Sequence, residues 1–195
     1  MHSEPHLSSL AARDFRLVRH YTRQSRAAPI PAAFLPAPKM PVELALYQPD
    51  IPQNTGTLLR LGACLGVRLH IIHPTGFAFS RKTLKRGALD YLEHADFIEH
   101  VSYAQFDAWR REAGRRLALL TTKASQSAYV AQYRPEDILM VGRESAGVPE
   151  SVAADADLRV RIPMREGLRS INVALAATLI LGEAMRQTDQ FAGLK

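Results

Sequence analysis

A chain of 195 residues, 47% hydrophobic and 23% charged, suits one globular domain with a full core and room for an appendage. The single cysteine, Cys64, excludes an internal disulfide framework and fits a reducing, cytoplasmic setting, and no apolar run approaches the roughly 20 residues that cross a bilayer. The net charge of +6 is uneven: of 25 Lys/Arg and 19 Asp/Glu, six and two fall in residues 1–39, so the remainder carries 19 bases against 17 acids and its charge alone argues only weakly for a nucleic-acid partner.

Residues 1–39 hold scattered arginines and five prolines with no sustained periodicity. They read as an extended, disordered basic extension, with Met40 a candidate natural start. From Met40 onward short β-branched runs alternate with helical patterns. Strands are expected at Val42–Tyr47, Arg68–Ile72, Asp96–Val101, Leu117–Thr122, Ile138–Gly142 and Leu158–Ile162. Helices are expected at Asn54–Gly66, opened by an Asn54 cap, and at Ser80–Leu89, Tyr103–Ala113 and Pro149–Ala154. The last, Ser170–Gln187, opens at a Ser170 cap and is apolar around nearly its whole circumference, which implies burial on all sides, by the core or by a second subunit. This alternation predicts an α/β domain over residues 40–190 with a mostly parallel sheet flanked by helices, and a short tail at 191–195. Cys64, among Leu61, Ala63 and Leu65, is expected to be a core residue.

Three groups could carry chemistry. The first is Gln48-Pro-Asp-Ile-Pro-Gln-Asn-Thr-Gly-Thr-Leu-Leu-Arg60. Helical side chains lean toward the N-terminus, so Arg60 is expected to pass over side-chain-free Gly56 and join the free amides of the first turn, a phosphate-binding combination; a structural pairing of Arg60 with a carboxylate is the alternative. The second is Gly142-Arg-Glu-Ser-Ala-Gly-Val-Pro149, whose Gly-x₄-Gly spacing lacks the Lys-Ser/Thr of a Walker loop. The third is Leu120-Thr-Thr-Lys123. Leu120, Gly142 and Ile162 each end a strand, and in open α/β sheets ligands gather beyond such ends, so one pocket is expected there with Ser170 above it. His70 and His73 have no ligand-like neighbours in sequence, and no metal is expected.

These groups, in this order, resemble the SPOUT class of RNA methyltransferases, and within it the small tRNA (cytidine/uridine-34-2′-O)-methyltransferases that act on the wobble nucleotide. The resemblance runs from Met40 to about Gln190. It rests on Ile51-Pro-Gln-Asn-Thr-Gly56 with Arg60, Gly87-Ala-Leu-Asp-Tyr91, Leu120-Thr-Thr-Lys123, Gly142 to Pro149, Arg161-Ile-Pro-Met164 and Arg169-Ser-Ile-Asn172. It implies a SPOUT fold with a C-terminal trefoil knot, S-adenosylmethionine as cofactor, an obligate homodimer and 2′-O-methylation in the tRNA anticodon stem-loop. By motif, Leu120, Gly142, Ile162, Met164 and Ser170 would contact the cofactor, Asn54 and Arg60 would be catalytic, and Glu144 and Asn172 would shape the pocket. The basic cluster Arg81, Lys82, Lys85 and Arg86 is a candidate grip on RNA phosphates. The chain departs from the family pattern at Arg143, where proline is usual, and at Ala174, where serine is usual. Other RNA targets of the same chemistry, and a non-catalytic RNA-binding dimer, stay open on sequence alone.

Overall fold

The computed structural model describes residues 40–195; the expectations for residues 1–39 lie outside them. Six strands, β1 (Glu43–Tyr47), β2 (Leu69–Ile72), β3 (Phe97–His100), β4 (Arg116–Leu120), β5 (Asp137–Val141) and β6 (Leu158–Val160), form one sheet in the order β3-β2-β1-β5-β4-β6. Every pairing is parallel. Helices α1 (Pro52–Leu65), α2 (Arg81–Ala88), α3 (Tyr103–Glu112), α4 (Glu150–Ala154) and α5 (Val173–Gln187) connect and follow them. The central strands β1 and β5 are buried along their whole length, and both faces are covered, so after a leading acid, Glu43 or Asp137, each reads as a continuous apolar run rather than an alternating one. Leu44 and Leu46 join one core with Leu58, Leu59, Ile180 and Leu181; Ala45 and Tyr47 join the other with Phe106, Leu117 and Met140. No helix among the described residues is long and apolar enough to cross a membrane.

Two helix starts differ from expectation. α1 begins at Pro52, whose fixed φ suits the first helical position, so Asn54 lies inside the first turn and Ile51 occupies the cap position without a side-chain bond. α5 begins at Val173, and Asn172, not Ser170, caps it: its side-chain oxygen accepts from the amides of Ala174 and Leu175. Asn54 and Ser170, relieved of capping, are free for other work. Cys64 is exposed, not buried, because it continues the outward stripe of Thr57 and Arg60 at helical spacing.

Gly56 also has a different reason from the one its spacing suggested. It and Gly87 bring α1 and α2 into backbone contact: a Cβ on Gly56 would lie 2.7 Å from the Leu84 carbonyl oxygen and 2.8 Å from the Ala88 nitrogen. The Arg60 guanidinium does not reach back to the helix start; it lies 4.7 Å from the centre of the Tyr91 ring. Nor is α5 covered all round. Ala177, Ile180, Leu181 and Ala184 are buried, whereas Ile171 just before it and Leu175 and Leu179 on it are 41%, 62% and 44% exposed, one stripe at four-residue spacing.

A polar cluster is buried beneath α3. His70 bridges Glu43 (2.8 Å) and His100 (2.9 Å), Arg115 meets Glu43 at 2.6 Å, and the Trp109 ring lies 4.6 Å from that of His70. Burial opposes the Glu43 carboxylate, but its bonds to His70 and Arg115 outweigh that and leave its pKa lowered. Burial, with the neighbouring His70, pushes the His100 imidazole down to about 4.

Candidate active site

The cleft lies beyond the carboxyl ends of β4, β5 and β6, where open parallel sheets place their ligands. It has a volume of about 440 Å³. Apolar walls come from Leu120, Val141, Val148, Ile162, Met164 and Val173. The structure brings Leu120, Gly142, Ile162, Met164 and Ser170 together there, with Asn54, Glu144 and Asn172 on the same walls. Among the described residues, the amides of Gly142, Ile162 and Met164 donate to no protein acceptor. Three free donors beside apolar walls suit a flat heterocycle carried on a partly apolar molecule.

The loop after β5 is built to approach a ligand closely. Arg143 and Gly147 exchange two backbone hydrogen bonds, of 3.0 and 2.9 Å, and Gly147 takes a φ of 68° that glycine adopts without steric cost. A Cβ on Gly142 would lie 2.6 Å from the Gly147 carbonyl carbon, so only glycine leaves this turn closed.

One hydrogen-bond chain ties the cleft together. Asn172 Nδ2 donates to Asn54 Oδ1 at 3.0 Å, and Asn54 Nδ2 donates to Glu144 Oε1 at 3.1 Å. The Asp50 amide donates to Glu144 Oε2 at 2.7 Å. Asp50 in turn binds the opposite loop: its carboxylate accepts from Arg143 Nη2 at 2.7 Å and Nε at 3.1 Å, and from the amide and hydroxyl of Ser145. The Arg143 guanidinium, then Ser145, hold the Asp50 carboxyl down at about 2. The loops after β1 and β5 thus exchange carboxylates, and Arg143, the residue standing where proline is usual, makes half of that exchange. Sequence reasoning missed the Asp50 clamp: Asp50 and Arg143 lie 93 residues apart, and neither stands in a pattern that announces a partner.

Arg60 is exposed and is not among the lining residues of the cleft. Arg81, Lys82, Lys85 and Arg86 are exposed on α2, with Arg81 3.2 Å from Glu93. Ala174 is 5% exposed and packs in the core beside α5's other alanines, so it presents no hydroxyl to the cleft.

The model of the SpoU rRNA Methylase family matches residues 41–182. The chain belongs to the SpoU methylase family. A tRNA (cytidine(34)-2′-O)-methyltransferase of Beijerinckia indica is 58% identical over 76% of this chain and 93% of its own length; the enzyme of that name from Escherichia coli K12 is 41% identical over 75% and 93%. Among solved structures, one described as giving insights into the 2-OH methylation of C/U34 on tRNA superposes with a TM-score of 0.70 at 41% identity, over 77% of this chain and 97% of that one. The SpoU methyltransferase AviRb of Streptomyces viridochromogenes, in complex with AdoMet, superposes with a TM-score of 0.69 at 25% identity, over 80% and 64%. This SpoU-family chain therefore has the α/β fold of a methyltransferase family whose members include cofactor-bound structures.

Proposed function

We propose that the protein methylates the ribose 2′-hydroxyl of the wobble nucleotide, cytidine or uridine 34, in tRNA, acting as a cytoplasmic homodimer with S-adenosylmethionine as methyl donor. The observation that carries this reading is the convergence of Leu120, Gly142, Ile162, Met164 and Ser170 on one cleft, in a chain 58% identical to a relative of that name. The free amides of Gly142, Ile162 and Met164 would hold the adenine, with Leu120 and Ile162 against its faces. When bound, the cofactor supplies an activated methyl group, so the protein's task is positioning.

Asn54 is locked in orientation, its oxygen on Asn172 and its nitrogen on Glu144, which aims this amide at the cleft. Arg60 holds the phosphate flanking the target and stabilises the charge developing on the ribose oxygen. Arg81, Lys82, Lys85 and Arg86 bind the phosphates of the anticodon stem-loop. A second copy covers the Leu175–Leu179 stripe, consistent with isologous dimers burying one patch twice. The knotted threading belongs to the same reading: the loop between β4 and β5 is bonded both to the segment after β6, through Ala128 and Arg161, and to α5, through Tyr133, Ala131 and Gln187.

Incubation with labelled S-adenosylmethionine and bulk tRNA, followed by mapping of the modified nucleotide, tests the reaction. Label at the 2′-oxygen of nucleotide 34 is expected; label elsewhere, or none, refutes it. Arg60→Ala should abolish transfer and leave cofactor affinity, read by calorimetry, nearly intact; full activity in that variant removes Arg60 from the mechanism.

A further inference from the structure

The segment Gly87-Ala-Leu-Asp-Tyr91 contributes nothing to the cleft, yet it is fixed tightly against α1. The contact at Gly56 and Gly87 admits no side chain on either helix: a Cβ on Gly87 would lie 2.5 Å from the Gln53 carbonyl oxygen and 3.0 Å from Gly56 Cα. Leu84 and Ala88 are buried beside it. Leu89 then ends α2 with a φ of 54°, a conformation L-residues rarely adopt and that only strong surroundings maintain. It turns the chain into a 3-10 helix, Leu89–Glu93, whose Leu92 packs on the core. The product of these constraints is the placement of one ring. Tyr91 sits half-buried with its centre 4.7 Å from the guanidinium carbon of Arg60.

We propose that Tyr91 is a positioning residue for Arg60, holding its guanidinium by the face so that its N–H edge stays available to an RNA phosphate and the reacting oxygen. This rests on the role given to Arg60 above. Among the described residues, Arg60 makes no ion pair and no side-chain hydrogen bond; the sequence holds no Asp or Glu between Asp50 and Asp90, and Asp50 is held by Arg143 and Ser145. A carboxylate partner would orient an arginine but would also neutralise it and compete with phosphate for the same donors. An aromatic face orients it without consuming a donor, because the attraction comes from the ring's quadrupole and the donors lie in the guanidinium plane. An exposed arginine left alone samples many rotamers, and ordering it in the transition state would cost rate. The glycine crossing, the Leu89 turn and the ring together hold Arg60 ready in advance.

The test compares Tyr91→Leu and Tyr91→Gln with Tyr91→Phe and Tyr91→Trp, with Arg60→Ala as reference, in steady-state methyl transfer to tRNA. Removing the ring should lower kcat on the order of tenfold, the scale of a cation–π interaction, with tRNA KM and cofactor affinity within about twofold of the parent. Phe or Trp should recover most of the rate. Using both Leu and Gln, with circular dichroism on each, separates misfolding from failed positioning. Parental kcat in the ringless variants overturns the proposal, as does a Phe variant as slow as Leu. A raised tRNA KM at unchanged kcat overturns it too and makes the ring a stacking surface for RNA. If Arg60→Ala itself keeps full activity, the role of Arg60 falls, and that outcome is distinct from a failure at Tyr91.

Discussion

Two polar networks in this molecule use the same side-chain types for opposite ends. Beneath α3, Glu43, His70, His100 and Arg115 are all at most 6% exposed and bond to one another. At the cleft, Asp50, Arg143, Glu144, Asn54 and Asn172 bond across two loops and two helix starts, and Arg143 and Glu144 stay partly open to solvent. Burial makes every member of the first network costly to remove, since its partner is left desolvated. The second is weaker per bond, but it sets the direction in which the Asn54 amide faces the cleft. Disturbing the first should therefore appear as reduced stability, and disturbing the second as reduced turnover.

The largest expected effect breaks the first network. Glu43→Ala strands Arg115, whose Nη1 has no partner among the described residues, beside His70; urea unfolding should show a loss of about 3–5 kcal/mol, and a loss below about 1 would mean that the cluster is not tightly coupled. Protonation attacks the same place. With the folded His100 pKa at about 4 and an unfolded value near ~6.5, the unfolded chain binds the extra proton between them. Stability is then full above about pH 6.5 and falls toward pH 4, by an amount of the order of 3 kcal/mol; His100→Phe should flatten that slope in melts taken across this window.

At the cleft, Gly142→Ala places a methyl against Gly147 and should weaken cofactor binding at least ~10-fold by calorimetry at a stability cost of about 1–3 kcal/mol. Asp50→Asn should cost about 1 kcal/mol of stability yet slow methyl transfer more than that figure implies; equal effects on both would erase the contrast between the networks. The smallest effect lies outside both: charge reversal at Lys85 and Arg86 should leave melting unchanged, weaken tRNA binding and lower its salt slope by about one for each phosphate no longer neutralised.

How far the chain is legible follows the range of the forces involved. β1 and β5 are readable because the four-residue apolar runs Leu44–Tyr47 and Ile138–Val141 have few alternatives, and the parallel sheet follows from their alternation with helices. Helix starts are misread where a second start signal lies within a few residues. Asn54 and Ser170 have the right chemistry for caps, but Pro52 starts one helix earlier and Asn172 captures the other. The side chain of Asn54 goes instead to partners 90 and 118 residues away, beyond any local window. The exposure of Cys64 is recoverable, since Thr57, Arg60 and Cys64 share one face. The meeting of Leu120, Gly142 and Ile162 at one cleft is readable; the Asp50–Arg143 clamp is not.

Asn172 does two jobs with one amide. Its oxygen closes the first turn of α5, and its nitrogen orients Asn54. The helix bearing the exposed apolar stripe thus begins at an atom group that also reports to the cleft. A rotation or fraying of the first turn of α5 would be felt at Asn54 as a broken hydrogen bond and in the cleft wall that Val173 forms. If the stripe is covered by a second copy, dilution below the dimerisation constant should therefore lower methyl transfer.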